Sequence, residues 1–192
     1  MKSIETLVAE HDYILRFNRT ARGACLGIME GQDLCVSDFR DMIDFVRNFA
    51  DKHHHGKEEK ILFEEMLAHL GQIGVNLITH GMLVEHDLAR LHISDLEAAL
   101  DQYEEADKTK ADKAKDEAKL DVIASMIGYT KLLKRHIDKE NAVVYTYAEK
   151  NLPGEILSGA DARMEAIEKQ ADADGVQRKY LEVLTRLEQK YL

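Results

Sequence analysis

The chain has 192 residues, 45% of them hydrophobic and 32% charged, which suffices for one good core, or a core plus an appendage, and makes a single main domain the default. A formal charge of −10 argues against nucleic acid or an anionic membrane as partner, since both call for an excess of Lys and Arg on some face. One proline, Pro153, and long stretches rich in Ala, Leu, Glu, Lys and Asp without apolar–polar alternation point to an all-α protein.

The first helix is predicted from Ser3, as N-cap, to Gly31, with Ile4, Leu7, His11, Ile14, Leu15 and Asn18 along one side. Its apolar stripe therefore contains a histidine. Glu5, Glu10, His11 and Asp12 break up the apolar run that a signal peptide would need, and no segment is apolar and long enough to span a bilayer. Together with Cys25 and Cys35, which lack a C-x-x-C spacing and are read as a reduced pair, this suggests a cytoplasmic location.

After the turn GQDLCV, Ser37 is the expected cap of a second helix, carried to His69 by Ile43, Val46, Ala50, His54, Glu58, Ile61 and Leu62. The stretch GQIG at 71–74 reads as a break. A third helix is predicted from Asn76 to Ala106, with His86 three residues after Leu83 and three before Ala89. The charged run EEADKTKADKAKDEAK at 104–119 reads as a solvated connection. A fourth helix follows from Lys119 to Asn151 through Ile123, Met126, Ile127, Tyr129, Leu132, Leu133, His136, Glu140, Val143 and Val144, and NLPG stops it.

Four long helices with short connections predict an antiparallel four-helix up-down bundle over residues 1–152. Residues 153–192 are expected to add one or two amphipathic helices, packed on the bundle or on a partner subunit in a homo-oligomer. Tyr180, Leu181, Val183, Leu184, Leu187 and Tyr191 would form their apolar side.

On a helix, residues four apart stand one above the other, about 6 Å apart, so a His and a Glu at that spacing can reach one metal centre or two adjacent ones. His54 and Glu58 have this spacing, and so do His136 and Glu140. Each pair lies within its helix's apolar stripe. A buried carboxylate without a partner is costly, and a bound cation is one way to compensate it. With His11 and His86, every helix supplies a ligand to one interior: four imidazoles and two carboxylates, enough for two metal ions bridged by the carboxylates. His53, His69 and His92 are read as surface or packing residues, His53 facing solvent because it stands one turn before Lys57. Glu59 is left to a supporting or surface role.

The stretches EHD at 10–12, HHGKEEKILF at 54–63, GMLVEHDLAR at 81–90 and HIDKENAVVYTYAE at 136–149 resemble those of hemerythrin-like proteins of the HHE cation-binding family, in the family's order. The resemblance implies a four-helix bundle around a non-haem di-iron site, with His11, His54, Glu58, His86, His136 and Glu140 as ligands. Glu58 and Glu140 would bridge the two iron ions, along with an oxo or hydroxo group. True hemerythrins carry two histidines four apart on the third helix, whereas Met82 stands four before His86 here. His55 or His80 is the candidate replacement, His55 preferred because it adjoins the stripe. Where relatives often read LFP, this chain has VYT at 144–146; Tyr145 and Tyr147 either place a phenol near the site or serve in packing, packing being the expected role.

An imidazole-rich set without a buried Glu-x-x-His pair favours reversible binding over turnover. The expected role is binding of dioxygen, or of a related diatomic or peroxide, for storage, delivery or sensing. The alternatives are a di-iron enzyme acting on peroxide or nitric oxide, and an iron-responsive interaction module.

Overall fold

The computed structural model describes residues 1–192, all helical apart from short connections and without strands. Helix α1 spans Lys2–Met29. Helix α2, Val36–Phe45, continues without interruption through two π-helical segments, Val46–His55 and Glu58–Leu62, into α3, Phe63–His69. The chain bends at Leu70, and α4, Gly71–Leu77, leads through π-helical Ile78–Met82 into α5, Leu83–Thr109. Helix α6, Asp112–Lys139, runs through π-helical Glu140–Val144 into α7, Tyr145–Asn151. Helices α8, Gly154–Ala173, and α9, Val176–Tyr191, complete the chain.

Three local expectations are corrected. The GQIG stretch is the start of a short helix, with the bend one residue earlier. The charged run at 104–119 is helical except at its middle. Its i,i+3 and i,i+4 pairs, such as Lys119 with Asp116, suit an exposed helix, and only Lys110 (φ 53°) and Ala111 turn the chain. Neither Ser3 nor Ser37 caps its helix with its side chain; the backbone N–H of Ser3 donates instead to Asp161 of α8, at 2.9 Å.

Burial divides the interior into two apolar layers. The larger holds Ile14, Phe17, Phe45, Phe49, Leu96, Tyr129, Leu133 and Leu184; the smaller holds Ile4, Leu7, Leu62, Phe63, Met66, Met82, Val144, Tyr145 and Met164. Within residues 1–152 the chain crosses between these layers four times, in alternating directions. Each crossing carries buried polar residues: Glu10 and His11, then His53 to His55 with Lys57 and Glu58, then His86, then His136 and Glu140. A polar stratum thus lies between two water-excluding layers.

Helix α9 packs on this body by burying Tyr180, Leu184 and Leu187, spaced four and three apart, in the larger layer, and α8 by burying Ala160 and Met164 in the smaller. Gly175 (φ 69°) makes the turn between α8 and α9. Asp38, 4% exposed, anchors the end of α9 by accepting hydrogen bonds from Lys190 (2.5 Å), Tyr191 (2.6 Å) and Arg186 (2.9 Å). Burial opposes its ionisation, but these donors outweigh it and hold the carboxyl well below the usual carboxylate range. The stabilisation is therefore complete above the unfolded-state pKa of about 3.9 and is lost as pH falls from there toward the folded-state value. Asp38→Asn is expected to cost about 1.5–3 kcal/mol at neutral pH and to narrow the loss of stability on acidification, read by urea denaturation at pH 7 and pH 3. Equal losses at the two pH values would contradict this account.

Candidate metal centre

Five imidazoles and two carboxylates meet in the polar stratum. Two donor groups can be distinguished, each with its ligand atoms within 4.8 Å of one another: His11, His54, Glu58 and Glu140, and His55, His86, His136 and Glu58. Glu58 belongs to both. Glu140 faces both as well, its Oε2 at 3.2 Å from His11 Nε2 and its Oε1 at 3.1 Å from His136 Nε2. The Nε2 atoms pair across the site, His54 with His11 at 2.9 Å and His86 with His136 at 3.0 Å.

An approximate internal two-fold organises these contacts. EHD occurs at 10–12 and 85–87, and H-x-x-K-E at 54–58 and 136–140. In one half, Glu10 accepts from His54 Nδ1 (2.8 Å) and from Lys57; in the other, Glu85 accepts from His136 Nδ1 (3.0 Å) and from Lys139. The residue after each metal-facing glutamate holds the remaining histidine from the opposite half: Asn141 Oδ1 accepts from His11 Nδ1 at 2.9 Å, and Glu59 Oε1 from His86 Nδ1 at 2.7 Å. Five residues after those glutamates, Tyr145 stacks on His11 and Phe63 on His86.

These partners fix the imidazole tautomers. A carboxylate or amide oxygen can only accept, so each Nδ1 carries a proton and Nε2 is the nitrogen turned inward, a lone pair on the neutral ring and an N–H on a protonated one. The same arrangement supports histidine ligands of metals generally. His55 follows it with a longer contact, Nδ1 to Asp51 at 3.3 Å, while its ring stacks on His86 at 3.8 Å between centroids. The π-helical segment helps to bring adjacent His54 and His55 to one interior, because i→i+5 bonding places more residues in a turn and so reduces the angle between neighbours.

The electrostatics are those of a donor set with too many lone pairs. Burial, with His11 nearby, pushes His54 down to about 4, and burial beside His86 puts His55 well below the usual histidine range. For His136, burial acts downward, but Glu140 and Glu85 prevail and raise it to about 9. Burial and the neighbouring Glu140 push Glu58 well up; Glu140, despite burial, is held well down by His136 and the other imidazoles. His55 Nε2, Glu58 Oε2 and both oxygens of Glu140 are buried without a hydrogen-bond partner. Orphaned acceptors converging on one point are costly unless a cation takes them up. The residues present therefore fit metal ions.

The sequence profile of the Hemerythrin HHE cation binding domain matches residues 2–148. The chain belongs to this family. No curated protein and no solved structure matches it. The family match covers all four crossings of this HHE chain and ends before α8.

All seven residues singled out from the sequence, His11, His54, His55, Glu58, His86, His136 and Glu140, lie together in the centre. His80 is exposed, as is His69, while His92 is half-buried against Gly128. His53 is a correction. It does not face solvent; it is buried, with Nε2 at 2.8 Å from Glu10 Oε1, and Lys57 beside it is buried too. Glu10, His53 and Glu168 look like a third metal-binding group, but the Lys57 ammonium sits between Glu10 and Glu168 and supplies the neutralising charge. For Tyr145 the less expected of the two roles holds as well as packing: its hydroxyl donates to Glu58 Oε1 at 2.5 Å and lies 3.4 Å from His11 Nε2. Glu10, Lys57, Glu85 and Glu168 were not anticipated from the sequence. The doubled EHD and H-x-x-K-E motifs were the available signal for the first three; Glu168 had none.

Proposed function

We propose that this HHE protein is a di-iron protein that binds dioxygen, or a related small ligand, reversibly. One ion would be held by His11 and His54, the other by His55, His86 and His136, with Glu58 and Glu140 shared. The reading rests on one observation above all: five inward-pointing imidazole nitrogens surround two carboxylates whose facing oxygens lack partners. An imidazole-rich set with few carboxylates suits iron that keeps an open coordination position. The iron pair, when bound, would supply the electrons and the binding position for the small ligand.

The protein's own residues do the rest. Glu10, Glu85, Glu59 and Asn141 orient the imidazoles, and the two apolar layers exclude water. Tyr145 places its hydroxyl at the end with two imidazoles, where it donates to Glu58 and would turn from that carboxylate to donate to a bound ligand. In this reading residues 1–152 are an antiparallel four-helix bundle and 153–192 a helical hairpin braced on it. The two free cysteines fit a reducing compartment such as the cytoplasm.

A second reading has a specific observation in its favour. The same Tyr145 hydroxyl can assist turnover of peroxide or nitric oxide by donating a proton to a reacting oxygen. One experiment separates the two. Protein loaded anaerobically with ferrous iron is expected to bind two ions per chain and to show an absorption band that appears with dioxygen and disappears on deoxygenation through repeated cycles. Irreversible oxidation on first exposure would overturn carriage, and sustained peroxide consumption would establish the enzyme.

A further inference from the structure

A second concave site lies between α1 and α6, in the half of the molecule away from the smaller apolar layer. Its cavity of about 470 Å³ is lined by Arg19, Arg22, Lys131, Lys134 and Arg135, over a floor that includes Asn18. Five cations on one groove are unexpected in a chain of net charge −10. Their lack of partners is more telling. Six of the ten arginines are in ion pairs with carboxylates: Arg16, Arg40, Arg47, Arg90, Arg163 and Arg186. Of the remaining four, Arg19, Arg22 and Arg135 line this groove, and only Arg178 lies elsewhere. Lys131 is unpaired as well, whereas Lys134 holds Asp138 at 2.7 Å.

Four of the five cations, Arg19, Arg22, Lys131 and Arg135, stand together without an ion pair; they repel one another, and an anion that bridges them relieves that repulsion. Arginine forks in particular match phosphate oxygens in a bidentate manner. Asn18 supplies an independent observation. It is 5% exposed, its Nδ2 reaches the Thr130 carbonyl only at 3.4 Å, and its Oδ1 is buried with no partner. An unpartnered acceptor under a cationic groove calls for a donor group to reach it. The cavity volume is that of a small-molecule site, and its concavity favours such a ligand over the broad face of an acidic protein.

We propose that this groove binds a phosphorylated small molecule of nucleotide size, its phosphates on Arg19, Arg22, Lys131 and Arg135 and a hydroxyl or amino group toward Asn18. Two of the carrying residues, Arg22 and Arg135, are exposed, so their replacement leaves the core untouched.

The test is isothermal titration of the full-length, iron-loaded protein with ADP at low salt. The expected result is saturable binding of one ADP per chain, weakened at least tenfold by the double substitution Arg22→Ala with Arg135→Ala. Arg178→Ala, which removes the fourth unpaired arginine elsewhere on the surface, is expected to change it less than twofold. Circular dichroism of the double variant would show the helical content unchanged. Absence of saturable ADP binding, binding that survives the double substitution, or equal weakening by Arg178→Ala would overturn the proposal. So would retention of acidic proteins on the immobilised chain without any ADP binding.

Discussion

Replacing Lys57 by methionine is expected to destabilise the protein by about 3–5 kcal/mol, the range for removing one partner of a buried ion pair. Lys57 is 1% exposed and donates to Glu10 and Glu168. Glu10 is itself buried, and its low pKa is maintained against burial by His53, His54 and Lys57 together. Without the ammonium, Glu10 keeps a charge that two imidazoles alone must compensate. Methionine fills the aliphatic path of the lysine, so the change isolates the charge rather than the packing. Two companion variants locate the effect. Lys139 occupies the equivalent place beside Glu85 but its side chain is 51% exposed, and Lys139→Met is expected to cost no more than about 1 kcal/mol. Glu168→Gln leaves the pairing of Lys57 with Glu10 intact, and Glu168 reaches solvent, so its cost is also expected near 1 kcal/mol. Chemical denaturation of the three variants is the measurement; similar losses for Lys57→Met and Lys139→Met would contradict the buried-pair account.

That asymmetry explains what was legible in the sequence and what was not. Helical periodicity carries information about one helix at a time. It placed His54 with Glu58 and His136 with Glu140 on common faces, and set His11 and His86 in their apolar stripes, because i,i+4 spacing is a property of a single helix. His53 was misread for the same reason. Standing one turn before a lysine, it looked solvated, but both residues are buried, with Glu10 on α1 as the polar partner of both and Glu168 on α8 as a second partner of Lys57. Partners brought from distant parts of the chain leave no mark on the local pattern. Likewise, the aromatic residue five places after Glu58 and Glu140 is Phe63 in one half and Tyr145 in the other. The first supports the packing reading, and only the three-dimensional approach to Glu58 separates the second from it. The π-helical turns that help to seat His54 and His55 together have no compositional signal, so His55 could be preferred over His80 only by adjacency.

The two halves of the centre also differ in how they should respond to loss of a donor. Glu58 is common to both donor groups, and His55 belongs to one. Glu58→Gln is therefore expected to abolish binding of both iron ions, and His55→Ala to reduce content from two per chain to one, measured by elemental analysis after anaerobic loading and desalting. Without added metal, the expectation for Glu58→Gln has the opposite sign. Burial and Glu140 push the Glu58 carboxyl well above its ordinary range, so charging it works against the fold. Glutamine, neutral in both folded and unfolded chains, avoids that penalty while keeping an oxygen to accept the hydrogen bond from Tyr145. The iron-free variant should thus unfold at the same temperature as the parent or a higher one. The parent alone should gain on adding ferrous iron, by about 2.7 kcal/mol when free iron stands at 100 times its dissociation constant. Melting curves of both proteins with and without iron would show this crossing of stabilities. A Glu58→Gln protein that retained two ions, or whose melting temperature rose with iron as much as the parent's, would remove Glu58 from the centre of the proposed site.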